Sequence, residues 1–406
     1  MVRVVHAADL HIDASYAFLT GERLERRRED FLDSLSSILN VCREERADVL
    51  VISGDFFDKV NPTNNARYFA HRALRDFTRD VDCRVFIVSG NHDEPKTVHS
   101  RSPLDPLGLI KNVRVVSSGK WKHFRLSGGG FDVGLYLRGY DGLKPAVSPF
   151  LEPPSPNDDV NVAVVHGSLD RAKSVYDEWS SAFREYAPFS SISCSELGFD
   201  YYALGHFHTH QIVSENWGVF CYPGSPQRYS FREAEGEKGV VVLDLEPGFS
   251  ESNVQFVPLP CRELVVKDVV LDTSMSNLEE VILNEVPVDG GDRLLDVRLM
   301  GKVMFDEYKR LRISHLASYL NQYWFAVKID KLFSVYDPVS EYEFEDLKSI
   351  NVVEEFKKRM SEKLRVAEEE GNVELKKKYK WMLENGVKLL VEIGGQQDDF
   401  EVHSRV

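Results

Sequence analysis

Five short apolar runs constrain this chain more than any other feature: residues 2–5, 49–53, 85–89, 162–165 and 201–204. Each is followed within a few residues by a polar cluster: Asp9-Leu10-His11, Gly54-Asp55, Gly90-Asn91-His92-Asp93, His166-Gly167 and Gly205-His206-Phe207-His208. Short runs rich in β-branched and aromatic residues, closed by Gly or a polar residue, predict buried strands. In an open α/β sheet, ligands lie beyond the carboxyl ends of the strands. The pattern therefore predicts that Asp9, His11, Asp55, Asn91, His166, His206 and His208 converge on one edge, with His92 and Asp93 beside them. Such a set predicts a metal site.

The donor types narrow the metal chemistry. None is a Cys and seven are too many for one zinc ion, which argues against a closed structural zinc site. Carboxylate, amide and imidazole donors together suit Mn(II), Fe(II) or Zn(II), and two ions sharing one bridging carboxylate use all seven. Two ions about 3.5–4 Å apart clamp the attacking and leaving oxygens of a phosphoryl centre. Any one of these motifs alone is a weak signal, since a lone His at a strand end is commonly a buried structural histidine. It is the ordered set, each member after a strand, that carries the expectation. His210 extends the alternation of His206 and His208 but is placed outside the coordination shell. His6, His71, His99, His123, His315 and His403 have no companion signal and read as ordinary histidines.

The order Asp-x-His, Gly-Asp-x-x-Asp, Gly-Asn-His-Asp, His-Gly, Gly-His-x-His resembles the calcineurin-type metallophosphoesterase superfamily. Within it, Val5-His6-Ala7-Ala8-Asp9-Leu10-His11-Ile12-Asp13 and Gly54-Asp55-Phe56-Phe57-Asp58 resemble the SbcD-type DNA repair nucleases, bacterial relatives of the Mre-eleven nuclease, and the YhaO-type branch in particular. Gly198-Phe199-Asp200-Tyr201-Tyr202-Ala203-Leu204-Gly205-His206-Phe207-His208 and Tyr222-Pro223-Gly224-Ser225 extend the likeness, which covers about the first 245 residues. The resemblance implies an α/β (α+β) fold: a four-layer β-sandwich flanked by helices. It implies two divalent metal ions, manganese foremost, with magnesium, iron or zinc as alternatives. By the same resemblance Asp9, His11 and His208 hold one ion, Asn91, His166 and His206 hold the other, and Asp55 bridges them. His92 then acts on the reacting phosphate or protonates the leaving oxygen, and Asp93 orients it. An imidazole with an unperturbed pKa of about 6.5 suits that task near neutrality. One position departs from the archaeal and eukaryotic pattern: Asp58 stands where those relatives carry a His.

With 406 residues, 43% of them hydrophobic, the chain is long enough for two or three domains. Residues 1–260 are expected to form the nuclease domain, with the Pro- and Asp-rich stretch 149–159 as a surface excursion and the run 239–245 in a second, more antiparallel layer. Residues 261–340 read as a small α+β domain, with strands at 263–271, 293–299 and 324–335 and helices at 276–284 and 306–321; the resemblance implies that it caps the active-site edge and shapes DNA access. Residues 341–406 read as a helical hairpin. Val352, Val353, Phe356, Met360 and Leu364 keep helical spacing, as do Leu375, Tyr379, Met382, Leu383, Val387 and Leu390, with a turn at Gly371-Asn372. No run of 18 apolar residues and no signal-peptide core occur, so neither a membrane span nor export is expected. The five scattered cysteines predict reduced thiols and a cytoplasmic protein, and the resemblance to DNA repair nucleases implies nucleoid association.

The formal net charge of −15 is not that of an isolated nucleic-acid binder. Arg23, Arg26, Arg27 and Arg28 form a local basic cluster, but Glu22, Glu25, Glu29 and Asp30 interleave it, which predicts an ion-paired solvated helix face. Intrinsic DNA affinity is therefore expected to be weak and supplemented by partners. The expected protein is a metal-dependent phosphodiesterase, exonuclease or endonuclease, forming the nuclease subunit of a DNA double-strand-break repair complex. The resemblance implies an SbcC-type coiled-coil ATPase docked on the terminal hairpin (residues 351–391), the alternative being that its two apolar stripes pack back onto this chain's own domains. It also implies a homodimer, with residues 64–77 and 104–110 as candidate contacts. Two alternatives are a phosphatase or phosphodiesterase for a small nucleotide and a DNA-end tether with a structural metal site. His92 and Asp93 argue against the tether, which needs the ligands but not that pair.

Overall fold

Each of the five runs is a strand in the computed structural model, which describes residues 1–95, 100–128, 130–140, 142, 156–172, 188–337, 352–369, 375–383 and 386. The first sheet contains β1 (Val2–Ala7), β2 (Val49–Ser53), β3 (Arg84–Val88) and β4 (Val113–Val116), side by side and parallel. The second runs in the order β5 (Lys122–Gly128), β6 (Phe131–Leu137), β7 (Val160–His166), β8 (Tyr201–Gly205), β10 (Gly218–Tyr222), β9 (Gln211–Glu215). Its central strands are parallel and its outer pairs antiparallel. The run 239–245 does not open a second layer. As β11 (Gly239–Leu245) it is the antiparallel neighbour of β1 in the first sheet, and β12 (Val254–Pro258) closes that edge. Its residues alternate between the two faces of that sheet, with Val240 and Val242 on one and Val241, Leu243 and Leu245 on the other.

Strand periodicity sorts the core into layers. Val2, Val4, Val49, Val51 and Val88 meet Leu135, Val162, Val164, Tyr201 and Ala203 between the sheets. On the opposite face of the first sheet, Val5, Leu50, Ile52 and Ile87 pack under α1 (Gly21–Glu44) and α2 (Asn64–Asp80), which contribute Leu35, Ile38, Leu39, Ala70, Leu74 and Phe77. Parallel strands buried on both faces read as continuous apolar runs, which is why these five stand out. The outer face of the second sheet buries Tyr136, Ala163, Tyr202, Leu204 and Phe220 against Leu169, Phe189 and Phe207.

Beyond Pro260 come β13 (Leu264–Leu271), β14 (Gly291–Met304) and β15 (Trp324–Lys331), all parallel, with α3 (Leu278–Glu285). The single helix expected over 306–321 is two, α4 (Phe305–Arg310) and α5 (Ile313–Leu320). Arg312 leaves helical geometry between them, at φ −102 and ψ 87, and its N–H donates to Glu279 Oε1 at 2.9 Å.

The chain divides into two compact units. One comprises Met1–Leu271, Met275–Gly301 and Arg310–Phe333; the other comprises Asp272–Ser274, Lys302–Lys309 and Ser334–Val406. Within the first, Leu264, Leu294 and Ala326 share a core with Tyr16, Phe18, Leu19 and Phe231, so β13–β15 pack on the segments that follow the first and last ligand motifs. Within the second, β16 (Ser334–Tyr336) pairs with the last residues of β14, and α6 (Val352–Glu369) sets Phe356, Met360 and Leu364 half-buried and Ala367 buried. Residues 375–383 are helical, and Gly386 lies against the Phe356 ring, where an added Cβ would come within 2.6 Å. The turn expected at Gly371-Asn372 lies outside the described residues. No helix among the described residues is long and apolar enough to cross a membrane.

Candidate metal centre

The loops after β1 and β2 run side by side because their backbones pair. Asp9 N–H donates to the Gly54 carbonyl (3.1 Å), His11 N–H to that of Asp55 (2.9 Å), and Asp58 N–H to that of Ile12 (3.0 Å). Asp9, His11, Asp55 and His206 all have positive φ, at 53, 44, 47 and 112. Such values are uncommon for residues with a Cβ and cluster at functional sites. Two glycines make the convergence sterically possible. A Cβ on Gly54, itself at φ 93, would come 2.3 Å from His166 Nδ1, and one on Gly205 would come 1.9 Å from the Ser53 carbonyl oxygen.

Asp9, His11 and His208 form one group whose ligating atoms all lie within 4.8 Å of one another. His11 Nε2 and His208 Nε2 face each other at 3.1 Å. At their other ring nitrogens, His208 Nδ1 is 3.0 Å from Glu233 Oε1 and His11 Nδ1 is 3.3 Å from Asp58 Oδ1. With the Nδ1 protons on the carboxylate side, two imidazole lone pairs point at each other. A cation accepting both suits that geometry, since metal-bound histidines donate their other N–H to carboxylates. Asp9 is held by the His206 backbone N–H, which reaches both of its oxygens (3.1 and 3.0 Å).

Asp9, Asp55 and His166 form a second such group. His166 Nδ1 lies 2.9 Å from the Ser53 carbonyl, which sets it as the donor and leaves Nε2 for a cation. That Nε2 lies 3.0 Å from Asn91 Oδ1 and 3.3 Å from Asp55 Oδ2. Asp55 Oδ2 is also 3.8 Å from His11 Nε2, so one oxygen faces both groups. His206 is buried with its ring 5.3 Å from that of His166, but its side chain belongs to none of the close groups. The donor set fits two hard or borderline divalent cations.

The electrostatics follow from crowding charge in a dry pocket. Burial raises Asp9, and the neighbouring Asp55 adds to it, while the surrounding histidines pull the other way. Burial would raise Asp55 too, but His166 outweighs it and holds the carboxyl well below its ordinary range. His166 is pushed up to about 9, against its own burial, by Asp55 and Asp9.

His92 is partly exposed. Its backbone N–H donates to Asp55 Oδ1 (2.9 Å) and its Nδ1 lies 2.7 Å from the Asp58 carbonyl oxygen. Asp93 does not take the place expected for it. Its carboxylate accepts from the backbone N–H groups of Phe56 (2.9 Å), Phe57 (2.9 Å) and Gly90 (3.2 Å), so it ties the Asp55 loop to the Asn91 loop. The oxygen that engages the His92 ring belongs to Asp58. Adjacent residues on a tight turn point apart, so sequence neighbourhood misplaced the partner. Burial and Asp55 push Asp93 up to about 7 despite its three backbone donors.

Several supporting residues carried no local signal in the sequence. Glu233, buried, also accepts from Lys238 Nζ (2.6 Å) and Ser225 Oγ (3.2 Å), and Lys238 Nζ reaches the His208 carbonyl (2.9 Å). His6 lies between the sheets, with Nδ1 2.9 Å from Tyr201 Oη and Nε2 2.9 Å from Ser53 Oγ. The arginines after the first loop are committed as their interleaved acids suggested: Arg26 to Glu29 (3.0 Å), Arg28 to Glu25 (2.7 Å) and Arg27 to Asp30 (2.8 Å). Arg27, however, is fully buried rather than solvated.

A family model described as Calcineurin-like phosphoesterase matches residues 2–210. The chain is 26% identical over 255 residues to the uncharacterized metallophosphoesterase YhaO of Bacillus subtilis, covering 60% of this chain and 57% of that protein. It is 27% identical over 340 residues to the SbcD component of the nuclease SbcCD of Bacillus subtilis, covering 77% and 83%. It is 28% identical over 259 residues to DNA double-strand break repair protein Mre11 of Methanopyrus kandleri, covering 59% and 51%. The chain thus spans little more than half the length of the first and third of these relatives.

Proposed function

Because this chain belongs to the calcineurin-like phosphoesterase family, we propose that it is a metal-dependent phosphodiesterase that cleaves DNA as the nuclease subunit of a double-strand-break repair complex. The observation that supports this best is the position of Asp55, whose Oδ2 faces His166 Nε2 at 3.3 Å and His11 Nε2 at 3.8 Å while Oδ1 accepts the His92 N–H. One carboxylate thus joins two groups of ligands to the residue assigned to the reacting phosphate. Asp9, His11 and His208 would hold one cation, Asn91, His166 and His206 the other, with Asp55 between them. Two divalent cations, manganese in our reading, supply charge neutralisation at phosphorus and a nucleophile at neutral pH. The protein's own part is orientation and proton delivery. With Nδ1 committed to Asp58, protonated His92 has Nε2 left to give its proton to the leaving oxygen.

DNA as substrate rests on the names of the nuclease relatives and on chemistry that any phosphodiester meets equally well. We assign the SbcC-type ATPase to the terminal helical segment, and a homodimer to α2 and residues 104–110. There Leu74, Phe77 and Leu107 serve this chain's own core, while Tyr68 and Leu109 remain exposed. A cytoplasmic, nucleoid-associated setting follows from the same reading. The test is hydrolysis of single- and double-stranded DNA beside a nucleotide monoester, with Mn(II) titrated. Mn(II)-dependent cleavage of DNA is expected. Turnover of the monoester alone would instead assign a small-nucleotide phosphatase.

A further inference from the structure

We infer that Glu233 and Asp58 are positioning residues which make the Asp9, His11 and His208 group the tighter of the two cation sites. The inference rests on the ligand assignment just proposed and adds an asymmetry to it. The two imidazoles whose Nε2 atoms meet at 3.1 Å each face a carboxylate at Nδ1: Glu233 at 3.0 Å and Asp58 at 3.3 Å. His166, in the other group, has its Nδ1 on the neutral Ser53 carbonyl at 2.9 Å, with the nearest carboxylate oxygen, Asp9 Oδ1, farther off at 3.8 Å. A carboxylate behind an imidazole fixes its tautomer and raises its basicity toward a metal, more than a neutral acceptor does.

Glu233 is held in place for this task. Its Oε1 faces His208, while Oε2 takes Lys238 Nζ (2.6 Å), Ser225 Oγ (3.2 Å) and the Tyr229 N–H (3.2 Å). The two oxygens divide the work, one toward the ligand and one toward the scaffold. A buried carboxylate without a counter-charge is costly, and Lys238 supplies that charge from the side away from the ring. Lys238 also donates to the His208 carbonyl (2.9 Å), so the residue that neutralises Glu233 fixes the backbone of the ligand that Glu233 orients. Asp58 is anchored differently. Its N–H donates to the Ile12 carbonyl (3.0 Å), which binds it to the loop that carries His11. Its own carbonyl engages His92, so one residue touches both a proposed ligand and the proposed proton donor. A merely structural role for the Glu233–Lys238 pair would affect folding without separating the two cation sites.

The test titrates Mn(II) into the chelator-stripped full chain and follows binding by calorimetry and by the electron spin resonance of free Mn(II). Wild type should bind two ions in two resolved steps, and His208→Ala should remove the tighter one. Glu233→Gln keeps the shape but not the charge; it should weaken the tighter step about 10- to 100-fold while the other stays within about twofold. Glu233→Asp should recover part of the loss. Asp58→Asn should weaken the same step from the His11 side, and it carries the test if Glu233→Gln melts early in the metal-free state. Equal weakening of both steps, or no weakening in either variant, overturns the inference. If His208→Ala keeps both ions, the ligand assignment beneath it fails and the inference falls with it.

Discussion

The two sheets bring different chemistry to the same edge. Loops after β1, β2 and β3 supply both carboxylates and the amide, Asp9, Asp55 and Asn91, together with His11 and His92. The strands β7 and β8 of the second sheet supply only imidazoles, His166, His206 and His208. The proposed ligands Asp9, His11 and Asp55 of the first sheet are aimed by backbone: paired loops and left-handed φ. Two imidazoles of the second sheet are aimed from behind, His166 by a carbonyl of the facing sheet and His208 by Glu233. Asp9 and Asp55 satisfy their spare lone pairs from the backbone N–H groups of His206 and His92, which lie on other loops of the same edge. An imidazole needs a distant acceptor for its second nitrogen. Both halves of the centre therefore depend on tertiary contacts: backbone N–H groups of other loops hold the carboxylates, and acceptors behind the rings hold the imidazoles.

The sharpest way to break this comparison is to strip charge from the shared member. Asp55→Asn should lose both metal and activity, because an amide no longer offsets two adjacent cations. Turnover should fall by more than about 10³-fold, beyond the loss from deleting a single electrostatic donor. Full metal occupancy in that variant would remove Asp55 from the bridging position. His92→Ala separates the proton donor from the ligands. It should lower turnover roughly 10²- to 10⁴-fold, the range of a general acid, and leave two ions bound. Loss of an ion on metal analysis would make His92 a ligand, as its proximity to His11 and Asp55 allows.

A smaller effect tests whether the sheets must approach as closely as they do. Gly205→Ala places a Cβ 1.9 Å from the Ser53 carbonyl, the acceptor that orients His166. Neither the strand end nor the facing carbonyl can yield without parting the sheets. Overpacking of this kind costs about 1–3 kcal/mol, so the variant should unfold at lower urea and bind the His166-side cation more weakly. An unchanged urea midpoint would show that the edge is more pliable than the distances imply.

These contrasts account for what could be read in the sequence. The five strands were legible because parallel strands buried on both faces leave unbroken apolar runs. The proposed ligands were singled out because each stands just past such a run. Glu233 and Lys238 were not, since they lie in a polar stretch, Arg232-Glu233-Ala234-Glu235-Gly236-Glu237-Lys238, where nothing distinguishes the buried acid from its solvated neighbours. Asp93 was singled out in the sequence, but its bonds to the Phe56, Phe57 and Gly90 N–H groups were not legible. Backbone amides of a distant loop leave no trace in side-chain spacing. The place of β11 beside β1 in the first sheet was likewise hidden, because alternation reports a strand's faces and not its neighbours.

His6 joins the two halves and gives the smallest effect, one that depends on pH. Ser53 Oγ donates to the Ala203 carbonyl (3.1 Å), so it accepts from His6 Nε2–H, and Tyr201 Oη is left to donate to His6 Nδ1. A second proton on the ring would face the Tyr201 proton in a dry interior. Burial, with a smaller contribution from His210, accordingly lowers His6 to about 3 from an ordinary 6.5. The unfolded chain therefore binds a proton below about pH 6.5 that the folded protein refuses. Stability from this group is complete above that pH and declines as pH falls toward 3. Between pH 7 and pH 5 the loss should amount to about 1–2 kcal/mol. Other groups titrate in the same interval, so the quantity to measure is the gap in unfolding free energy between wild type and His6→Gln. Gln keeps a donor and an acceptor for Ser53 and Tyr201 but does not titrate. The gap should shift against wild type on acidification, and a gap independent of pH would show that His6 can be protonated in place, with the sheets parting enough to admit the charge.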